Sequence, residues 1–178
     1  MADERSRFRE QTSAERFTAA YQQLSPSVLG YLRSHGVDDP EAVTNDVFLG
    51  LHRSIDRIAG DEEVRTMTFS IAHARLVDHY RSRAARPHVV AFDPESDPRH
   101  SRSAEDQAMD GIVGGGALAL LGILGDDQRE AVTLRVIAGL TLDETAQVMG
   151  KSVGAVKQLQ RRALESLRRS LGGRSDHD

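Results

Sequence analysis

Cysteine is absent from the 178 residues, which excludes disulfides and thiolate metal sites. Tryptophan is absent too, and aromatics make up 4% of the chain. A core must therefore come from Leu, Val, Ile and Ala, as in small helical bundles. No apolar run reaches the ~18 residues that span a bilayer, and the charged start is unlike a signal peptide. A cytoplasmic protein without membrane insertion is expected. Lysine is scarce: of the 23 basic residues only Lys151 and Lys157 are lysines, a skew that points to a GC-rich genome and says nothing of mechanism. No stretch alternates with the two-residue period of a strand.

What is present is segregated charge behind a formal net of -4. Arg65, Arg75, Arg81, Arg83 and Arg86 face one acid, Asp78, in their stretch. From Lys151 to Arg174 two lysines and five arginines stand against Glu165 alone. Between these basic blocks, Asp93 to Asp110 carries six acids against Arg99 and Arg102, and Pro87, Pro94 and Pro98 punctuate a stretch with few apolar residues. That stretch reads as an exposed acidic linker; a long loop within one domain is the alternative.

Both flanking blocks read as helical. Thr12 and Glu15 form a capping-box pattern, followed at helical spacing by Phe17, Tyr21, Leu24, Val28 and Leu32. Ser25-Pro26 marks either a kink or the start of a second segment, and Gly36 ends the stripe. Asp39-Pro40 opens a helix with Val43, Val47, Leu51 and Ile55 on one face. After Gly60 a third helix carries Val64, Thr68, Ile71, Arg75 and Leu76 towards Arg83. In the second block a Gly114-Gly115-Gly116 run precedes a short apolar segment, Ala117 to Leu124. Asp126 or Asp127 caps the next helix, which runs to Gly139. Thr141 and Glu144 form another capping box for a short helix ending at Gly150, and Ser152 caps a long helix bearing Val156, Leu159, Ala163, Leu167 and Leu171.

A short helix, a tight turn at Gly150 and a longer basic helix are the layout of a helix-turn-helix, in which the first helix braces the second for entry into a major groove. Leu142, Ala146, Met149, Val153 and Val156 supply the buried side, and Ala146 is small enough for a close crossing. Lys157, Gln158, Arg161 and Arg162 point outward; Lys and Arg pair with guanine edges and Gln with adenine. Arg162, Arg168 and Arg169 suit phosphate, which fixes register without reading sequence. A solvated basic face on an ordinary three-helix domain is the plain alternative.

Leu120 to Leu171, LLGILGDDQREAVTLRVIAGLTLDETAQVMGKSVGAVKQLQRRALESLRRSL, resembles the promoter −35 domain (region 4) of extracytoplasmic-function (ECF) sigma factors of the sigma-70 family, with Asp143, Glu144, Ala146, Gly154, Val156, Arg162, Ala163 and Leu167 in register. Phe17 to Pro87 resembles region 2 of the same family. There Asp38-Asp39-Pro40-Glu41-Ala42-Val43 through Asp46-Val47-Phe48-Leu49 is similar to the helix that docks on the β′ clamp helices of polymerase. Ile71-Ala72, Leu76-Val77-Asp78 and Arg81 are similar to the helix that meets the −10 element. Met67 stands where the family usually has Trp and Ala74 where many members have Asn, and region 4 has Gly125 for the usual Pro and Ala155 for the usual Thr.

The resemblance implies an all-α fold of two small helical domains joined by a flexible acidic linker: residues 12–86 (region 2), 87–110 (linker) and 111–172 (region 4). It implies a sigma factor, not an enzyme, that binds RNA polymerase core through the β′ clamp helices and β flap, engages promoter DNA and is met by an anti-sigma factor, with no cofactor and no metal. The implied −35 contacts are Ser152, Ala155, Lys157, Gln158, Arg161 and Arg162. The −10 contacts are Phe69, His73, Ala74, His79, Arg81 and Arg83, with Phe69 equally readable as core; Arg86 suits phosphate. The core-polymerase contacts are Asp39, Glu41, Asn45, Asp46, Phe48 and Leu49. Asp93, Glu95 and Asp97 would thread near a basic channel of core, with a solvated spacer as the alternative.

Two rivals are weighed. A conventional regulator that binds an operator unaided as a dimer is opposed by the N-terminal resemblance. An interaction protein that sequesters polymerase or an anti-sigma factor gains weight from Met67 and Ala74. Against an enzyme, the seven histidines are scattered, none in H-E-x-x-H spacing, and no glycine-rich phosphate loop follows a strand.

Overall fold

The computed structural model describes residues 12–85 and 115–172, and every regular element among them is helical. The linker readings at Asp93, Glu95 and Asp97, and the phosphate reading at Arg86, lie outside the described residues.

Helix α1 (Ser13–Ser34) opens with Thr12, whose side chain accepts from the Glu15 N–H while the Glu15 carboxylate accepts from the Thr12 N–H at 2.8 Å. Pro26 lies inside α1 and neither splits it nor caps a second segment. Removing an N–H there frees the Gln22 carbonyl, and both Gln22 and Pro26 are exposed, so water can take its place. Gly36, at φ +67°, then turns the chain, a conformation that costs side-chain-bearing residues more than glycine. Asp39 caps α2 (Pro40–His52) by accepting from Ala42 N–H at 3.0 Å, with Pro40 at the first helical position where its missing N–H costs nothing. A 3-10 turn (Ile55–Arg57) follows. Arg16 donates to the Ile55 and Ile58 carbonyls at 2.7 and 2.6 Å, tying that turn to α1. Helix α3 (Asp61–Ala85) begins with Asp61, Glu62 and Glu63, acids that favour the positive end of the helix dipole.

Val28, Leu32, Val47, Leu51, Ile55, Phe69 and Leu76 are essentially sealed from water between α1, α2 and α3. Each such side chain contributes on the order of 1.5–3 kcal/mol. Tyr31 and Phe69 meet edge to face, with ring centroids 5.8 Å apart. Arg75, which shares the sequence stripe with Leu76, is exposed.

In the second half, α4 (Gly115–Gly122) is short and apolar and takes two of the glycines into the helix. Helix α5 (Asp126–Val136) has Gly125 at its cap position, so Asp126 and Asp127 occupy the first turn and neither caps it as expected. They still favour the helix start through its dipole. Arg129 fastens α4 to α5 by donating to the Leu121 and Leu124 carbonyls at 2.9 and 3.0 Å. Helices α6 (Leu142–Met149) and α7 (Val153–Gly172) complete the chain.

The two halves touch. Buried apolar residues of both belong to one continuous cluster, and Gly30 of α1 leaves room for Ile137, whose Cγ2 lies 3.7 Å from where a β-carbon would stand.

Candidate nucleic-acid interface

Helix α6 is set by a complete capping box: the Thr141 side chain accepts from Glu144 N–H, and the Glu144 carboxylate accepts from Thr141 N–H at 2.6 Å. Burial works against the Glu144 charge, but the Thr141 backbone and hydroxyl, the Thr66 hydroxyl and the Arg65 charge outweigh it, holding the carboxyl below its usual range. Gly150 ends α6 in the left-handed conformation, φ +62°, while Lys151 N–H returns to the Ala146 carbonyl at 3.0 Å. Ser152 Oγ then accepts from Ala155 N–H at 3.2 Å, starting α7 immediately after the turn. Ala146, Met149, Val156 and Ala163 are buried, with Leu142, Val153 and Leu159 packed beside them.

This packing turns the opposite face of α7 outward. Ser152, Lys157, Gln158, Arg161 and Arg162 are exposed and Ala155 is half-buried, so the six expected −35 residues lie on the capping residue and the first three turns of one helix. Arg161 has one ion partner on its own helix, Glu165, at 3.6 Å. Both side chains are more than half exposed, so that pair is weak and yields easily to another anion. Leu171, expected on the buried stripe, is 50% exposed, as the last turn of α7 runs past the core.

The residues expected at the −10 strand do not form one surface. Phe69 is wholly buried against Tyr31, so the core alternative is the one its packing satisfies. Ala74, Arg81 and Arg83 are exposed on α3. His79 Nε2 lies 3.9 Å and Arg83 3.6 Å from Asp38 on the turn before α2. His73 is half-buried and turned to the second half of the chain, where its Nδ1 pairs with Glu130.

Of the residues expected to meet polymerase, Asp39, Glu41, Asn45, Asp46 and Leu49 are exposed. Phe48 is 2% exposed and edge-on to Tyr21, at 4.8 Å between ring centroids. Its neighbour Leu49 is 58% exposed, a large apolar side chain with no core to enter. Among the described residues no group of three or more His, Asp or Glu side chains is placed to hold a metal ion. No helix there is long and apolar enough to cross a membrane.

Residues 120–169 match the family described as Sigma-70, region 4. The chain is similar to ECF RNA polymerase sigma factor ShbA of Streptomyces griseus, 37% identical over 159 residues that cover 82% of each protein. It is also similar to ECF RNA polymerase sigma factor BldN of Streptomyces coelicolor, 33% identical over 161 residues; the chain spans 89% of itself and 61% of BldN's length. The chain belongs to the ECF RNA polymerase sigma factors. Its fold resembles that of CnrH, solved in complex with the cytosolic domain of CnrY, at TM-score 0.66 and 23% identity over 95% of each chain. Among the described residues of this sigma factor the all-helical fold expected from the sequence stands.

Sequence reasoning missed Tyr31 and Glu130. Tyr31 Oη donates to Glu130 Oε1 at 2.9 Å, and the same oxygen pairs with His73. Burial foremost, then the charge and hydrogen bond of Glu130, pushes the Tyr31 hydroxyl well above the usual phenol range, so it remains a donor. One signal was available: Glu130 stands four residues before Leu134, an acid on the buried side of α5.

Proposed function

We propose that this sigma factor binds RNA polymerase core and directs initiation at particular promoters, reading −35 duplex through α7 and engaging the −10 strand through α3. The observation that carries the reading is the run of outward Lys157, Gln158, Arg161 and Arg162 on a helix braced by α6 and the Gly150 turn. Such a helix fits a major groove with base-pairing side chains in its N-terminal half. Family membership and the exposed α2 face of Asp39, Glu41, Asn45, Asp46 and Leu49 support docking on the β′ clamp helices, with the β flap as the second contact. On α3, Ala74, Arg81 and Arg83 are exposed to single-stranded −10 DNA, with His79 half-buried beside Asp38; a basic groove is the device such strands need.

On this reading the chain performs no bond-making chemistry and acts in the cytoplasm with polymerase. Residues 12–86 and 111–172 act as the two promoter-binding units, joined by residues 87–110, and an anti-sigma factor is the further partner. The test is run-off transcription from genomic fragments with sigma-free core, with and without this protein. Specific starts that depend on the protein are expected. Failure of the protein to bind core would end the reading, however well α7 fits a groove.

A further inference from the structure

Five cations stand exposed on α7: Lys157, Arg161, Arg162, Arg168 and Arg169. Four are guanidinium groups, which stay protonated in water and so present no nitrogen lone pair to an acyl group. Lys157 alone carries an amine that acylation turns into a neutral amide. The chain's other lysine, Lys151, is tied down: its Nζ lies 3.0 Å from Asp127 of α5, and its side chain is 33% exposed. Lys157 has no such ion partner among the described residues. Its neighbours one turn away on either side are Val153, Gly154, Gln160 and Arg161, so no acid competes for the amine and one cation sits beside it. No acid occurs anywhere from Lys151 to Leu164.

We propose that Lys157 is an acylation site, served by a small anionic donor of the acyl phosphate class, and that the resulting amide switches off the −35 contact of α7. Only the second half of this inference rests on the reading above. Nζ, having given one proton to water, attacks the carbonyl carbon of the donor. The N–C bond forms, the C–O bond to phosphate breaks, and inorganic phosphate leaves with the electron pair and takes up the second nitrogen proton; nothing is oxidised or reduced. Arg161 draws the anionic donor towards this amine, since its pair with Glu165 is more than half exposed on both sides and yields easily. At Lys151 the Asp127 carboxylate occupies the amine and repels the same anion. The amide at position 157 has no charge with which to neutralise a phosphate or to donate as a cation to a guanine edge. Because its neighbours on α7 are arginines, acyl transfer removes one cation and leaves the other four.

The full chain is incubated with acetyl phosphate, freed of reagent and mapped by peptide mass spectrometry. Acetylation at Lys157 should outpace that at Lys151 by about fivefold, the free amine and the neighbouring cation each giving roughly a two- to threefold preference. Asp127→Asn should speed Lys151, and Arg161→Gln should slow Lys157, each by about two- to threefold. No reaction at Lys157, equal or faster reaction at Lys151, or rates unmoved by both variants overturns the site. For the consequence, the treated chain is joined to untreated core, and its affinity is measured on a promoter mapped with the untreated holoenzyme, beside an equally treated Lys157→Arg chain. Treatment should weaken promoter binding of the parent by about tenfold, the worth of one cationic contact to DNA, and leave Lys157→Arg at its own untreated value. An undiminished parent, or an equal loss in both chains, overturns the switching role. Mapping the amide uses neither DNA nor polymerase, so a failure of the transcription assay remains a separate result.

Discussion

Tyr31 and Glu130 are 99 positions apart and share a buried hydrogen bond of 2.9 Å that joins α1 to α5. Replacing Tyr31 with Phe keeps the ring against Phe69 and removes only the hydroxyl. A hydrogen bond to a charged acceptor contributes about 1.5–3 kcal/mol, and Glu130 retains His73, so the expected loss is about 1–2 kcal/mol. At roughly 2–4 °C per kcal/mol for a chain of this length, the melting midpoint should fall by several degrees. An unchanged midpoint would show that the bond contributes nothing in solution.

The buried His35 and the half-buried His73 near this contact should be shifted in opposite directions. Hydrogen bonding to Glu130 lifts the His73 imidazole above its ordinary 6.5, with burial opposing, the Glu130 charge assisting and Lys151 opposing. Burial pulls His35 below 6.5, against the Tyr31 carbonyl and Glu130, with Arg129 lowering it and Asp126 raising it. The stabilisation from His73 is therefore complete below pH 6.5 and lost as pH rises through its raised folded value. His35, buried neutral, stabilises above 6.5 and that contribution is lost as pH falls through its lowered folded value. NMR titration of the imidazole protons checks both, and Glu130→Gln should bring His73 back towards 6.5. A His73 midpoint at or below 6.5 in the parent chain would contradict the pairing.

What the sequence made legible was local. Capping boxes at Thr12 and Thr141 and the glycine stops at Gly36 and Gly150 satisfy backbone groups within a few residues, so pattern alone locates them. The outward face of α7 was legible for the same reason: its apolar stripe leaves few ways to turn Lys157 and Arg161. Pro26 was not legible, because its tolerance depends on which side of α1 meets water. Phe69 and Phe48 share helices with exposed neighbours, and only the packing of α1 on α2 and α3 decides that both rings turn inward. The burial of Glu130 left a trace in the sequence, but its pairing with Tyr31 and His73 could not be read, since three separate helices supply the contact.

Adjacent residues on α2 should separate stability from polymerase binding. Phe48→Ala removes a ring that is 2% exposed and edge-on to Tyr21, which should cost about 3–5 kcal/mol in chemical denaturation. Leu49→Ala alters a side chain that is 58% exposed and should change stability by less than about 0.5 kcal/mol. If α2 docks on core, Leu49→Ala should still weaken core binding by roughly tenfold, about 1.4 kcal/mol at a buried interface. Native affinity for core in that variant would remove Leu49 from the interface.

Gly150→Ala tests whether the turn of the helix-turn-helix depends on backbone freedom. Nothing lies within 4 Å of the position a β-carbon would take, so crowding is not at issue. The strain comes from φ +62° alone, which costs a residue with a β-carbon about 1–2 kcal/mol. A melting midpoint lowered by several degrees, with helicity retained at low temperature, is expected. Undiminished stability would mean that the turn relaxes to another conformation.

The α7 cations should divide by salt dependence. Lys157 and Arg161 lie in the first half of α7 and Arg168 in the last turns, all exposed. If the first half enters the groove, Lys157→Ala and Arg161→Ala should each cost about 1–3 kcal/mol on the preferred −35 sequence and flatten discrimination among sequences. Arg168→Ala should weaken all sequences alike and lower the slope of log affinity against log salt by about one. The comparison is made with holoenzyme on promoter variants at several salt concentrations, because polymerase supplies contacts common to every variant and these cancel in the differences. Uniform losses from Lys157→Ala and Arg161→Ala, with discrimination intact, would place those two side chains on phosphate and leave base reading to Gln158 and its neighbours.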